Sequence, residues 1–142
     1  MRYHFKIRKE KKGYTAECVE LKGCMTQGNS REALADHMRE ALQLYLDEPK
    51  DSKVAFPLPR KAAVGKGLVE VEVDPKLAFA VCMRALRLAH HLTQKRAAEL
   101  IGMKGLYSYQ RLESSKTANP EFETIVRIKR AFPEFDLERL VG

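Results

Sequence analysis

Few side chains in this sequence have the type and spacing of metal ligands. The three cysteines include no C-x-x-C pair, and five residues separate Cys18 from Cys24. With His4 these two thiols would still lack a second ligand pair, so packing of reduced cysteines is favoured over a metal site. Glu70 and Glu72 share one face of a predicted strand, which a solvated acidic surface explains better than a bound divalent cation. We expect no metal and no cofactor.

Catalytic side chains do not form a recognisable constellation either. The serines lack an obvious histidine and acid partner, and no glycine-rich phosphate loop follows a predicted strand. The acids Glu17, Glu20, Glu70 and Glu72 lack the spacing of a metal-dependent active site. The sequence therefore predicts that the protein is not an enzyme.

Positive charge is concentrated towards the end of the chain. The formal net charge is +7, and residues 75–142 hold 12 basic and 7 acidic side chains, which is +5 of that total. Residues 1–48 and 49–74 carry +1 each. A local surplus of this kind favours polyanionic partners. We expect any contact with nucleic acid in the C-terminal half.

Composition predicts a globular protein. The chain has 142 residues, of which 44% are hydrophobic and 32% charged, a balance that excludes intrinsic disorder. The longest uncharged apolar run, Leu77 to Met83, is far shorter than the roughly 20 residues of a membrane span. Charged residues interrupt the N-terminal apolar stretches, unlike those of a secretory signal. We expect a soluble, cytoplasmic protein without a membrane segment.

The first half of the sequence predicts three short strands. Tyr3, Phe5 and Ile7 alternate with polar residues, so they share one face of a strand. A polar turn follows, and the alternation resumes at Tyr14. Residues 23–28 are short, bounded by glycines and predict the third strand of a meander.

A helix and a fourth strand complete the predicted N-terminal domain, residues 1–73. Asn29 or Ser30 caps the helix, and Pro49 stops it. Residues 49–67 form an extended connector, and the alternation from residue 68 to residue 73 predicts a strand that returns to the sheet. The order is β-β-β-α-β, and the predicted apolar stripe of the helix is Leu34, Met38, Ala41, Leu42 and Tyr45.

Residues 74–142 predict an all-α domain, so that the fold class is α+β. Asp74 and Pro75 start a helix that runs to about His91, by the preference for a carboxylate cap and proline in the first turn. A second helix begins after Thr93 and ends at Gly102. The predicted apolar face of the first helix is Leu77, Val81, Leu88 and Leu92, with Arg84 and Arg87 pointing elsewhere.

A third helix is predicted within residues 104–113 and a fourth from Asn119-Pro120. In the third helix Tyr109 and Leu112 face inward. Its outward side chains are Lys104, Tyr107, Ser108 and Arg111. The predicted buried stripe of the fourth helix is Phe122, Ile125, Ile128 and Phe132. A last helical turn is expected over residues 136–140.

The C-terminal domain resembles the helix-turn-helix of the phage-repressor (XRE/Cro) family. The resemblance rests on the run from Leu92 to Gly102, on Tyr109-Gln110-Arg111-Leu112-Glu113, and on the fourth helix. It implies that Gln94 touches a DNA phosphate, that Lys95 also contacts DNA, and that the third helix reads base edges in the major groove. The implied base-reading residues are Lys104, Tyr107, Ser108 and Arg111.

The sequence departs from the helix-turn-helix pattern at one place, and one alternative interpretation of these residues is open. Between Gly102 and Glu113 the chain is one residue longer than the usual pattern and carries Gly105, which shifts the correspondence of base-reading positions. Phosphate contacts from a basic module and polar readout from a helix agree with DNA binding. The alternative is a helical bundle that uses the same side chains as solvated surface.

Residues 1–73 resemble the HicB antitoxin domain. The likeness rests on the first strand, Tyr14-Thr15-Ala16-Glu17, residues 23–28, and a helix containing Glu32-Ala33 and Glu40-Ala41. It implies a degenerate RNase H-like fold that binds a small, basic, mRNA-cleaving HicA toxin through its sheet and helix surface. The candidate partner-binding residues are Tyr3, Phe5, Ile7 and Tyr14.

Together the two resemblances imply an antitoxin that neutralises a HicA-type toxin and represses its own operon. Such a repressor is expected to be a homodimer or a higher homo-oligomer, because two recognition helices enter successive major grooves of operator DNA. One alternative is a stand-alone transcriptional regulator whose N-terminal domain senses a ligand or dimerises. Another is an RNase H-like nuclease, which would require converging carboxylates that residues 1–73 do not offer.

Overall fold

A computed structural model describes residues 1–61 and 65–142, and its architecture is α+β as the sequence predicts. Apart from the last residue, the chain divides into two compact units. The sheet unit comprises residues 1–47 and 57–74, and the helical unit comprises residues 48–56 and 75–141. The predicted connector, 49–67, includes residues 62–64, which lie outside the described residues. Its described residues contain no helix or strand.

The sheet unit has the predicted β-β-β-α-β order. Its strands are β1 (Arg2–Glu10), β2 (Gly13–Cys18), β3 (Met25–Gly28) and β4 (Leu68–Glu72). All neighbours are antiparallel in the spatial order β3-β2-β1-β4, so that β1 is flanked on both sides. Phe5 lies opposite Cys18 on one side and Val69 on the other, which places these apolar residues on one face.

Helix α1 (Arg31–Leu46) covers the apolar face of the sheet. Ser30 caps the helix, because its hydroxyl accepts a hydrogen bond of 3.1 Å from the Ala33 N–H. Gly28 allows the close junction with β3, since a Cβ atom there would lie 2.7 Å from the Leu34 backbone nitrogen. The buried side chains of α1, spaced four residues apart, are Leu34, Met38, Leu42 and Leu46.

The helical unit contains five α-helices and one short 3-10 turn within its described residues. The helices are α2 (Pro75–Ala89), α3 (Gln94–Ile101), α4 (Leu106–Gln110), α5 (Phe122–Ala131) and α6 (Leu137–Val141), and the 3-10 turn is Arg111–Glu113. Thr93 caps α3, as predicted, by accepting a hydrogen bond from the Arg96 N–H. Gly102 ends α3 in the left-handed conformation, with φ of 76°.

One hydrophobic core holds these helices together. Its small members, Ala97 and Ala98, let α3 approach its neighbours closely, and the predicted inward side chains Tyr109 and Leu112 are buried. The remaining core residues are Phe79, Ala80, Met83, Ile101, Ala118, Ile128, Phe132 and Phe135.

Two predictions about side-chain direction are wrong. Arg84 and Arg87 are buried, at 2% and 4% exposure, although the sequence places them away from the core. They continue the heptad-like stripe of α2 that contains Ala80 and Met83, so helical geometry carries them inward. Phe122 is 79% exposed instead of buried, because the apolar stripe of α5 extends one turn beyond the core.

The fourth predicted helix also begins later than expected. Glu121, not Asn119, is the N-cap residue of α5, and it makes no side-chain capping bond. Pro120 therefore precedes the helix instead of occupying its first turn. No helix within residues 1–61 and 65–142 combines the length and the apolarity of a membrane span.

Candidate nucleic-acid interface

A buried carboxylate organises the centre of the helical unit. Glu113, in the 3-10 turn after α4, is inaccessible to solvent. The Arg87 guanidinium donates to both of its oxygens, from Nε at 2.6 Å and from Nη2 at 3.0 Å. This paired geometry is typical of strong arginine–carboxylate bonds. Although burial favours the neutral form, the hydrogen bonds that Arg87 donates to Glu113 raise the pKa of Arg87. The ion pair joins α2 to the end of α4.

Arg84 approaches the same acid from the preceding turn of α2. Its Nη2 atom donates to the Glu113 backbone carbonyl at 2.8 Å, and its Nε atom lies 3.8 Å from a carboxylate oxygen. That Nε atom is buried, and it has no hydrogen-bond partner among the residues that the structure describes. Burial lowers the pKa of Arg84. Arg84 is therefore a second buried cation whose charge Glu113 compensates.

Tyr109 and Gln94 extend the cluster to α4 and α3. The Tyr109 hydroxyl donates to Glu113 at 2.7 Å, and burial, reinforced by that negative charge, raises the pKa of Tyr109. The Gln94 amide donates to Glu113 at 3.1 Å and accepts from the Gln110 amide at 3.0 Å. These bonds fix α4 against α2 and α3, so the exposed face of α4 has a defined orientation.

The sequence-predicted DNA contacts differ in their accessibility. Lys95, Lys104 and Arg111 are exposed, and Tyr107 is 65% exposed. Ser108 and Gln94 are half-buried. The outward direction predicted for Lys104, Tyr107 and Arg111 agrees with this placement. Their roles in DNA binding remain predictions.

Gln94 has no free amide donor for a phosphate. One hydrogen bond from its Nε2 atom reaches the Lys50 backbone carbonyl at 2.6 Å, and the other reaches Glu113. A –NH₂ group has two protons, and both are engaged. A phosphate contact from this side chain would require one of the two bonds to break.

The four predicted partner-binding residues lie on the apolar side of the sheet, and they differ in accessibility. Tyr3 and Phe5 are completely buried, so neither side chain is accessible to a partner. The Tyr3 hydroxyl donates to the Pro57 carbonyl at 2.8 Å. Ile7 and Tyr14 are half-buried. Alternation identifies a strand face, but it does not reveal that a helix covers it.

Ile7 and Tyr14 border a groove between α1 and β4. Ile7 lines it directly, and the Tyr14 ring lies 5.4 Å from the guanidinium of Arg31, which also lines it. The groove has a volume of about 520 Å³. Its lining combines apolar side chains with charged side chains of both signs. The other lining residues are Arg2, Ala35, Met38, Arg39, Val69, Glu70, Val71 and Glu72.

The sheet unit contains a second buried polar pair. His4 Nδ1 and Glu20 Oε1 are 2.5 Å apart, and the His4 backbone N–H donates to the other Glu20 oxygen at 3.1 Å. Burial opposes ionisation of the carboxyl, but these hydrogen bonds outweigh it and lower the pKa of Glu20. Within residues 1–61 and 65–142, no three His, Cys, Asp or Glu side chains form a group that could hold a metal ion.

Sequence reasoning missed the arginine–glutamate cluster, although a signal for it exists. Arg84 and Arg87 lie four and seven residues after Ala80, on the buried stripe of α2. Two cations on a core stripe require a buried acid, because burial of unpaired charge is costly. Glu113 follows the inward Leu112 and lies four residues after the inward Tyr109. No comparable pattern in the sequence predicts that Lys50 lies beside Gln94 and Tyr107.

Comparison with known proteins identifies the family of this chain. The fold is that of an α+β protein with one antiparallel-sheet unit and one helical unit. No family model matches the chain. A UPF0150 protein of Helicobacter pylori is 40% identical over 58 residues, which make up 41% of this chain and 79% of that protein. The chain belongs to the UPF0150 family, which is related to the HicB-like antitoxins.

Proposed function

We propose that this chain is an antitoxin that also represses its own operon, and that it has no catalytic activity. The sheet unit binds and neutralises a small basic mRNA interferase of the HicA type. The helical unit is a helix-turn-helix that binds operator DNA. The observation that carries the proposal is the similarity to the UPF0150 protein, a member of a family related to antitoxins.

The surface of the helical unit supports the DNA-binding part. Lys95, Lys104 and Arg111 present exposed positive charges, and Tyr107 projects from the first turn of α4. Cations near phosphates and polar side chains near base edges are the two components of specific DNA binding. The Glu113 cluster holds α4 rigidly, and that rigidity favours readout by a short helix.

The groove between α1 and β4 supports the toxin-binding part. It leaves apolar side chains accessible within the sheet unit, beside the edge strand β4. Exposed apolar surface next to a strand edge is typical of a protein-binding surface. Charged side chains of both signs line the groove, Arg31 and Arg39 on α1 and Glu70 and Glu72 on β4, and such charges would fix the orientation of a charged partner.

The first experiment identifies the partner. The tagged full-length chain is purified from its source organism after nuclease treatment, and copurifying small proteins are identified by mass spectrometry. We expect a stoichiometric basic protein that stops growth and degrades mRNA when expressed alone, and whose toxicity co-expression of this chain relieves. If the small genes adjacent to the gene for this chain are expressed and no such protein is found, the antitoxin proposal is wrong and a stand-alone regulator is favoured.

The second experiment tests DNA binding independently. The full-length chain selects duplexes from a random pool, and Kd is then measured for the enriched duplex and for a scrambled duplex. We expect Arg111→Ala to weaken binding to the enriched duplex by roughly 1–3 kcal/mol more than to the scrambled one, as for a base contact. Equal losses would remove Arg111 from base readout.

The toxin surface can be mapped with matched variants. Tyr14→Ala alters the groove through its contact with Arg31, whereas Met25→Ala changes an exposed apolar side chain on the strand at the opposite edge of the sheet. We expect Tyr14→Ala to weaken toxin binding and Met25→Ala to leave it unchanged. The reverse result would exclude the groove between α1 and β4.

A further inference from the structure

The segment Glu48–Phe56 belongs to the helical unit and is attached to it by its backbone. The Pro49 carbonyl accepts from Arg84 Nη2 at 3.3 Å, and the Ser52 carbonyl accepts from Arg87 Nη2 at 3.3 Å. Between them, the Lys50 carbonyl accepts from the Gln94 amide at 2.6 Å. Three successive anchors fix the path of the segment across α2 and the start of α3.

This anchoring directs the Lys50 side chain at α4. The Lys50 ammonium lies 5.9 Å from the centroid of the Tyr107 ring, within the range of a cation–π contact. Lys50 and Tyr107 are both exposed. Among the described residues Lys50 has no carboxylate partner. Its positive charge therefore faces solvent next to α4, the helix that is proposed to enter the major groove of DNA.

The same segment also accepts a hydrogen bond from Gln94, the residue that the helix-turn-helix resemblance assigns to a DNA phosphate. Both protons of the Gln94 amide are engaged, one of them by Lys50 itself. A lysine ammonium is a stronger phosphate ligand than a neutral amide, because its hydrogen bonds are charge-assisted. The residue that blocks Gln94 thus brings a better ligand to the same side of the unit.

We propose that Glu48–Phe56 is part of the DNA-binding surface and that Lys50 contacts a backbone phosphate beside the bases that Tyr107 faces. This inference rests on the proposed function, since it concerns the same DNA surface. The segment as a whole is neutral, with Glu48 and Asp51 balancing Lys50 and Lys53. Its contribution is therefore local to the Lys50 ammonium and does not come from a general basic patch.

The test compares Lys50→Gln with Lys53→Gln in the full-length chain. Both residues are exposed and lie in the same segment, and both variants lose one positive charge. Lys50→Gln keeps the backbone carbonyl that anchors the segment. The measured quantity is Kd as a function of salt, by fluorescence anisotropy, for the enriched duplex and for a scrambled duplex of about 30 base pairs, long enough for two half-sites.

We expect Lys50→Gln to weaken binding to both duplexes about five- to tenfold near 0.1 M salt and to reduce the slope of log K against log salt by about 0.9, the loss of one phosphate contact. Lys53→Gln should retain the wild-type slope. A purely structural role for Lys50 would shift the urea midpoint of unfolding and leave the salt slope unchanged.

Three results would overturn the inference. Wild-type slopes for Lys50→Gln would remove Lys50 from the interface while leaving the proposed function intact. Equal slope losses in both variants would assign the effect to overall charge. A wild-type chain that binds neither duplex would make the DNA-binding part of the proposed function wrong, and this inference with it.

Discussion

Glu113 supplies the negative charge that two buried arginines of the helical unit require. Glu113→Gln preserves the shape of the side chain but leaves Arg84 and Arg87 buried without their counter-charge. We expect a loss of about 3–5 kcal/mol in the free energy of unfolding, the usual effect of removing one partner of a buried ion pair. Urea denaturation of the full-length chain measures it.

Glu99→Gln is the matched control for that variant. Glu99 pairs with Arg96 at 2.9 Å, but both side chains are more than half exposed. The exposed pair should contribute less than about 1 kcal/mol, because water screens it. Similar losses in the two variants would contradict a special role for burial at Glu113.

Glu20 makes the stability of the sheet unit depend on pH. Its pKa in the folded chain is lowered by hydrogen bonds from His4, despite the opposing effect of burial. A carboxyl with a lowered pKa stabilises the fold above its unfolded value, about 4.3, and this contribution is lost as the pH falls through the folded pKa. Glu20→Gln should therefore flatten the fall in stability with pH below about 4.3.

Unfolding midpoints across this acidic range test the assignment. Glu17→Gln is the control, because Glu17 is an exposed acid on β2, three residues before Glu20. It should keep the wild-type dependence on pH. If Glu20→Gln also keeps that dependence, the contact between His4 and Glu20 does not contribute to acid sensitivity.

Among the helix ends, the C-terminus of α3 requires a residue that tolerates positive φ. Gly102 has φ of 76°, and a Cβ atom there would have no neighbour within 4 Å. Gly102→Ala should therefore destabilise the chain by about 1 kcal/mol through backbone strain alone. The urea midpoint of the full-length variant measures this loss.

Gly105 gives the matched comparison for that substitution. It precedes α4 in an extended conformation, with φ of 170°, and a Cβ atom would again meet nothing within 4 Å. Alanine adopts this conformation freely, so Gly105→Ala should leave stability unchanged or raise it slightly. Equal destabilisation by the two alanines would show that strain at Gly102 is not the cause.

At the scale of the whole molecule, the proposed repressor should bind DNA as a dimer or a higher oligomer. Two recognition helices from different copies reach successive major grooves only when the half-sites lie about 34 Å apart. Inserting about 5 base pairs between the half-sites of the enriched duplex should abolish tight binding, because it rotates one half-site to the opposite face.

An insertion of about 10 base pairs is the control, since it restores the rotational phase of the half-sites. It should recover part of the affinity, and sedimentation of the complex should give at least two chains per duplex. A single bound chain with unchanged affinity for every spacing would contradict the dimer prediction.

Local patterns in the sequence were enough to predict the α+β class, the order of the sheet unit and most helix boundaries. Alternation in β1, the capping residues Ser30 and Thr93, and Gly102 are local signals, since each acts through its own backbone and near neighbours. The direction of Tyr109 and Leu112 also follows from helical periodicity. The family relation is likewise carried by residues in the chain itself.

Tertiary packing determines which buried groups meet and which strand faces are covered. Helical periodicity carries Arg84 and Arg87 to the buried stripe of α2, but the acid that compensates them is set by tertiary packing, because Glu113 reaches them from a distant turn. Tyr3 and Phe5 have the alternation of a strand face, but their burial depends on the segments packed over them. The approach of Lys50 to Tyr107 depends on three backbone anchors. Such contacts join residues far apart in sequence, so they exist only once the chain has folded.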